Sequence, residues 1–184
     1  MTITLFLTLI LANSPFEKFF DFVDSLKSAE ADFVETVRYP DIDFERTFTG
    51  HAYLVTPNKL RIDFLSPQKQ TLLLLDSVYI LVSPDAEQPM VRQEFTFLIP
   101  QNSQELRKNF KITMTQSDSS YIFSVTPNQS GYTGSVTIEF AKNGFRVLSM
   151  TIYDVSTEMH YRFKKLKLNV ELPDSLFSIA EVKQ

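Results

Sequence analysis

Few side chains of this sequence are suited to acid–base or metal chemistry. The 184 residues contain no cysteine and two histidines, His51 and His160. Without cysteine there is no thiolate for zinc or for nucleophilic attack, and no disulfide. Each histidine falls on an expected strand among ordinary polar neighbours, whereas a general base needs groups that orient it. We therefore expect no catalytic residue, no metal site and no cofactor, and we do not expect an enzyme.

The remaining site motifs are also weak. Four glycines are too few for a phosphate-binding loop of the usual type, and no G-x-S-x-G or H-E-x-x-H pattern occurs. Asp41, Asp43 and Glu45 lack the glycine and the distal glutamate of a calcium loop, so a solvated loop is expected there. The formal net charge of −4 is opposite to the basic footprint of a protein that binds nucleic acid.

The chain is instead rich in bulky apolar side chains. Hydrophobic residues make up 43%, with 17 phenylalanines and no tryptophan, and the length suits one domain. Residues 1–12 include an apolar stretch, Ile3–Ala12, of signal-peptide length but without a basic start. We interpret 1–12 as a candidate signal peptide, which would direct export, and 13–184 as a single domain.

The expected elements are one helix followed mainly by strands. Ser14, Pro15 and Glu17 form a helix start, and apolar residues at helical spacing extend it to about Lys27. Asn143–Gly144 marks a hairpin. The short β-rich runs favour a single, strongly twisted antiparallel sheet. These runs are His51–Val55, Lys59–Leu65, Thr71–Leu75, Val78–Val82, Lys111–Thr115, Tyr121–Thr126, Ser135–Phe140, Phe145–Tyr153 and Met159–Val170.

Apolar and polar residues alternate along several of these strands, so one face of the sheet is apolar. That face would either pack completely against helices or leave a gap for a hydrophobic guest. The hairpin formed by Leu72–Leu75 and Val78–Val82 is apolar on both faces, so it is either covered on both sides or open to a ligand on one. The residues considered for lining such a gap are Leu60, Ile62, Phe64, Leu72, Leu74, Ile80, Val82, Val136, Ile138, Leu148, Met150 and Ile152.

Two further segments have two interpretations each. Pro89–Phe110 is long, and Ser103 is expected to cap a short helix through Lys108; the segment is either a lid or a crossover that fills the core. The basic run Arg162–Lys167 is interpreted first as lysines that protect an exposed strand edge. The alternative is a docking surface for an acidic partner.

The order of several motifs resembles the LolA family of periplasmic carriers of outer-membrane lipoproteins. The resemblance extends over roughly Phe16–Phe177, and it rests on shared order more than on any single motif. The matching segments are Gly50–Gln70, Leu72–Asp76, Glu87–Gln88, Phe123–Pro127, Val136–Ile138, Asn143–Gly144, Met150–Asp154 and Tyr161–Phe163.

The resemblance implies a mainly β (α+β) fold: an unclosed β-barrel whose concave face is covered by helices above a hydrophobic cavity. Leu60, Ile62 and Phe64 match positions that face this cavity. The lid would be Phe95, Phe97, Leu98 and Ile99. A periplasmic monomer of this kind would bind the acyl chains of lipoproteins released by an inner-membrane lipoprotein transporter and pass them to an outer-membrane receptor.

Two departures from the family pattern limit what can be carried over. Thr56 stands where well-studied members have the arginine that holds the lid shut, and Asp76–Ser77 replaces Asp-Gly at the apolar hairpin. A different latch is therefore expected. The alternative function is an envelope-stress sensor of similar fold that binds lipid or misfolded protein and docks a regulator through Arg162–Lys167.

Overall fold

The computed structural model describes residues 14–76, 78–84, 90–93, 102–128 and 134–178. Within these ranges two α-helices, eleven strands and two short 3-10 helices are present. The helices are α1 (Pro15–Ser25) and α2 (Ser103–Asn109), and the 3-10 helices are Pro40–Ile42 and Asp174–Phe177. The strands are β1 (Ser28–Tyr39), β2 (Phe44–Val55), β3 (Lys59–Ser66), β4 (Gln70–Leu75), β5 (Val78–Val82), β6 (Met90–Gln93), β7 (Phe110–Gln116), β8 (Ser120–Pro127), β9 (Ser135–Ala141), β10 (Val147–Tyr153) and β11 (Glu158–Leu168).

Helix α1 begins where the sequence predicts. The Glu17 backbone N–H donates to the Ser14 side chain at 3.2 Å, and the Ser14 N–H donates to the Glu17 carboxylate at 2.8 Å. These two bonds satisfy free donors of the first turn. The helix ends at Ser25, two residues earlier than expected, because Leu26 adopts an extended conformation that leads into β1.

The strands form one antiparallel sheet in the order β6-β5-β4-β3-β2-β1-β11-β10-β9-β8-β7. The chain runs outward from β1 to β6, and then inward from β7 to β11, which pairs with β1. No pairing joins β6 to β7 among the described residues, so the sheet is not closed into a barrel. The predicted fold class, a mainly β protein with an unclosed antiparallel sheet and helices, is confirmed.

Strand β1 was not predicted, although it lies at the centre of the sheet. It pairs with β2 from Ser28↔Val55 to Tyr39↔Phe44 and with β11 on its other side. Its alternation of apolar and polar residues is obscured because Glu35 stands at a position where the pattern calls for an apolar residue. Strand β6, inside the expected long interruption, was also missed.

Two faces of the sheet can be separated by register, since directly paired residues lie on the same face and neighbours along a strand alternate. We call the face on which α1 packs the helix-bearing face and the opposite face the outer face. On the helix-bearing face Phe19 stacks on Phe123, with ring centroids 4.4 Å apart, and meets Phe140 edge-on at 5.9 Å. The main core is therefore built between α1, α2 and strands β7–β10.

The C-terminal segment covers part of the outer face. Arg61, Leu73 and Ile80 lie in one row of that face, and Leu73 and Ile80 are 0% and 3% exposed. The Arg61 guanidinium donates to the Leu176 carbonyl at 2.8 Å, and Phe177 is buried beside it in sequence. The C-terminal segment thus packs on β3 at the end of the row that continues through Leu73 and Ile80 of the β4–β5 hairpin.

Two local expectations were wrong, and a third, the hairpin at Asn143–Gly144, was right in place but not in the extent of its turn. Strand β11 lies between β1 and β10, so its lysines do not protect a sheet edge. Helix α2 is capped by Asn102, not by Ser103, whose hydroxyl donates instead to Asp24 on α1 at 2.6 Å. The β9–β10 hairpin is present, but positive φ falls on Gly144 (73°) and Phe145 (46°), so its turn extends beyond the predicted Asn–Gly pair.

Candidate ligand-binding face

The predicted lining residues of β3 and β4 lie together on the helix-bearing face. Leu60 pairs with Leu74, and Ile62 pairs with Leu72. Phe64 continues the same row of β3. Leu74 is buried, whereas the other four side chains are half-buried. Two neighbouring strands thus present one continuous apolar strip, which we call the β3–β4 strip (Leu60, Ile62, Phe64, Leu72 and Leu74).

A second group of predicted lining residues lies on the same face at the other half of the sheet. Met150 pairs with Ile138, and Ile152 pairs with Val136. Ile138 packs against the main core beneath α1. Leu148 falls at a register irregularity between Val147 and Ser149, so the pairing assigns it to neither face.

Ile80 and Val82 do not join either group. Ile80 pairs with Leu73 and Val82 pairs with Thr71, which places both on the outer face. The side chains of β5 that share the helix-bearing face with the β3–β4 strip are Tyr79 and Leu81.

The middle of the helix-bearing face holds an aromatic cluster that sequence analysis did not identify. Its members are Phe33, Phe48, Phe64 and Tyr161. The Phe33 ring lies 5.8 Å from the rings of both Phe64 and Tyr161, and Phe48 lies 5.7 Å from Phe64. Because Phe64 belongs to the β3–β4 strip, this central cluster extends the strip to β1 and β11.

Gly50 makes this arrangement possible. It lies opposite Phe33 on β2, and a Cβ atom there would come within 2.8 Å of the Phe33 ring and fall on the Asp63 carbonyl oxygen. Only glycine lets the ring approach the β2 backbone so closely.

A carboxyl group lies beside the central cluster. Glu35 is 4% exposed, and the Tyr161 hydroxyl donates to its Oε1 atom at 2.7 Å. Burial raises the pKa of Glu35, and the hydrogen bond from Tyr161 opposes that shift. Burial together with the nearby Glu35 charge also raises the pKa of Tyr161. Strict alternation from Phe33 through Glu35 to Val37 is the sequence signal that could have placed this carboxyl on the covered side.

Thr56 occupies the position of the absent family arginine and makes a contact of its own. Its hydroxyl donates to the Leu26 carbonyl at 2.9 Å, and its backbone N–H donates to the Lys27 carbonyl at 3.0 Å. Thr56 thus fastens the end of α1 to β2. The expected lid residues Phe95, Phe97, Leu98 and Ile99, and the candidate signal peptide at 1–12, lie outside the described residues.

The two histidines lie on the outer face and are not brought together. His51 Nδ1 is 2.6 Å from Asp32 Oδ1, and His160 Nδ1 is 2.9 Å from Thr151 Oγ1. Hydrogen bonds from Lys165 and His51 hold the pKa of Asp32 below its usual value. Within the described part of the chain, no three His, Asp or Glu side chains are grouped to hold a metal ion.

The described ranges also contain no helix that is long and apolar enough to span a bilayer. Among the described residues the architecture is an unclosed antiparallel sheet whose helices pack on one face beside an apolar strip.

The family model described as outer membrane lipoprotein carrier protein LolA matches residues 24–180, and the chain belongs to this family. This membership supports lipid or lipoprotein binding in general. A comparison with curated proteins gave no match.

Two solved structures share the fold. A LolA superfamily protein from Nitrosomonas europaea is 12% identical, with a TM-score of 0.51, and the match covers 89% of this chain and 97% of that one. The second is a putative outer membrane lipoprotein-sorting protein domain from Vibrio parahaemolyticus. It is 10% identical, with a TM-score of 0.53, and the match covers 91% of this chain and 96% of that one. At these identities the likeness concerns the fold alone.

Proposed function

We propose that this protein is a periplasmic carrier that binds the acyl chains of lipoproteins against its helix-bearing face. The observation that supports it most strongly is the unequal covering of that face. Phe123, Val125 and Phe140 are buried in the core with α1, whereas Leu60 and Ile62 on the other half remain half-buried. An apolar strip that remains partly exposed beside a packed core is suited to binding a hydrophobic ligand.

The energetics of an acyl chain fit such a strip. Each buried methylene contributes about 0.8 kcal/mol, so roughly 15 methylenes would contribute about 12 kcal/mol on full burial. A carrier must also release its ligand. A partly open strip buries the acyl chain incompletely, so the binding free energy is smaller than for full burial and release is easier. In the proposed cycle the carrier accepts lipoproteins from an inner-membrane transporter and delivers them to an outer-membrane receptor. Family membership supports the lipoprotein binding on which this cycle depends.

The first test is a fluorescence titration with a triacylated peptide, using two variants of strand β3. Leu60→Glu introduces a carboxylate into the β3–β4 strip, whereas Leu65→Glu makes the same change at an unpaired bulge position of the same strand, where Leu65 is 47% exposed. Because an acyl chain cannot solvate a charge, we expect L60E to weaken binding at least about tenfold. L65E should bind like the wild type.

Two results would count against the proposal. Absence of saturable binding by the wild-type protein at micromolar concentration would refute acyl binding itself. Equal affinities of L60E and L65E would refute the place of Leu60 in the site.

The second candidate is the sensor that binds lipid or misfolded protein and a regulatory partner. It is favoured by one observation, the exposed basic side chains of β11. Lys165 and Lys167 lie 3.2 Å and 3.4 Å from Asp32 and Glu30, so part of this charge is neutralised on the outer face. A matched peptide without acyl chains separates the carrier from a sensor of misfolded protein, because such a sensor would bind it and a carrier would not.

A further inference from the structure

Glu35 is the one charged residue in the buried class among the residues whose side-chain burial the structure describes. A carboxyl group inside an apolar face is unfavourable unless it is hydrogen-bonded or neutral. Acyl-chain binding alone gives no reason for such a group at the centre of the face.

The surroundings of Glu35 are almost entirely apolar. On β1 its neighbours on the same face are Phe33 and Val37, and Phe48 lies opposite on β2. Tyr161 lies opposite on β11 and donates its hydroxyl hydrogen to Oε1 at 2.7 Å.

Few titratable or charged groups of the adjoining strands face this carboxyl. Tyr161 is the one on β11. On β2, Arg46 lies opposite Val37, and its guanidinium is 5.0 Å from the Phe48 ring centroid. Strand β1 adds Tyr39, which lies on the same face four residues from Glu35 and opposite Phe44.

The carboxyl is connected to the β3–β4 strip by direct ring contacts. Tyr161 contacts Phe33 and Phe33 contacts Phe64, each with centroids 5.8 Å apart. One end of a chain lying along the strip would therefore lie at Phe64, on the side of Glu35 and Tyr161, and it is at this end that we place the head. The head of an acylated ligand carries ester and amide carbonyl oxygens, which accept hydrogen bonds. A protonated carboxyl has an O–H to donate, whereas a carboxylate has none.

We propose that Glu35, held by Tyr161, is a polar anchor that donates a hydrogen bond from its neutral carboxyl to a carbonyl oxygen at the head of an acyl ligand. This inference rests on the proposed function. Ionisation of Glu35 removes the donor and places a negative charge beside the carbonyl oxygen, so the ligand binds best while Glu35 is protonated. Burial also raises the pKa of Glu35, which favours the protonated form.

The experiment is a titration of wild type and Glu35→Gln from pH 5 to pH 8. The probes are an ester-linked diacyl peptide with no titratable group and its ether-linked analogue, which lacks the ester carbonyls. For the wild type we expect affinity for the ester peptide to fall with rising pH, by up to tenfold per unit above the pKa of the unliganded Glu35. The side-chain amide of the E35Q variant does not titrate in this range, so its N–H donor persists and the affinity of this variant should not vary with pH.

The ether analogue provides the control for carbonyl recognition, because its affinity should be lower and nearly independent of pH in both proteins. Urea unfolding of E35Q confirms that the variant is folded before binding is measured. A wild-type protein that binds the ester peptide with no pH dependence, or with the same dependence as E35Q, would overturn the anchor while leaving the carrier proposal intact. Loss of saturable binding for both probes would overturn the carrier proposal and, with it, the anchor.

Discussion

Replacing Phe19 by alanine tests whether α1 is an integral part of the domain. Phe19 is 1% exposed, its ring stacks on Phe123 at 4.4 Å, and it meets Phe140 and Phe20 at 5.9 Å and 5.8 Å. Truncation of a phenylalanine in such a position typically costs about 3–5 kcal/mol, because transfer energy is lost and a cavity remains. Since a domain of this kind has a free energy of unfolding of about 5–15 kcal/mol, Phe19→Ala removes a large part of its stability.

The measurement is urea unfolding followed by far-UV circular dichroism. With an m-value of about 2 kcal/mol/M, a loss of about 4 kcal/mol lowers the midpoint by about 2 M. Lys18→Ala is the matched control, because Lys18 is the exposed neighbour on the same helix and such changes stay within about 0.5 kcal/mol. A midpoint for F19A within about 0.3 M of the K18A midpoint would refute the packing of α1 described here.

Two other predictions concern Gly50 of β2 and Thr56, the residue that follows this strand. Gly50→Ala places a methyl group against the Phe33 ring and the Asp63 carbonyl, so we expect a loss of about 1–3 kcal/mol, seen as a lower Tm; an unchanged or higher Tm would contradict the close approach. Thr56→Val removes the hydroxyl that donates to the Leu26 carbonyl at 2.9 Å, so we expect the free energy of unfolding in urea to fall by about 1 kcal/mol. Thr56→Ser retains the hydroxyl and should lose much less stability. Equal losses in both variants would rule out this hydrogen bond as the cause.

Elements defined by local signals could be predicted from the sequence. The start of α1 depends on Ser14, Pro15 and Glu17, which lie within one turn, so no distant residue was needed. Strand β5 was predicted at its observed bounds, Val78–Val82. Strand β1 was missed because Glu35 interrupts its apolar positions, and a buried glutamate is favourable only once Tyr161 has been brought beside it from β11.

The face of a strand was harder to predict than its existence. Alternation correctly grouped Leu60 with Ile62, since they lie on one strand. The β4–β5 turn, however, pairs the even-numbered Leu72 with the odd-numbered Leu81. Ile80 therefore lies on the outer face, and this change of parity depends on the register of the turn, which composition does not reveal.

The interpretation of the basic strand failed for a related reason. A run of lysines protects an edge only if the strand has one neighbour, and β11 has two because β1 pairs with it along Ala29↔Leu168 to Arg38↔Glu158. Without β1, the sequence leaves β11 as the last strand of a meander and so at an edge. Because the central strand β1 was not predicted, the neighbouring strand β11 was wrongly placed at an edge of the sheet.

The difference between core and ligand-binding face is likewise not contained in the strands themselves. Strands β3 and β9 both alternate apolar and polar residues, yet β9 ends in the fully buried Phe140, whereas no residue of β3 is in the buried class. What distinguishes them is the position of α1, which packs its phenylalanines on the β7–β10 half and is held at its C-terminal end by Thr56. The same apolar pattern therefore becomes core where the helix lies and a candidate ligand-binding strip where the helix does not reach.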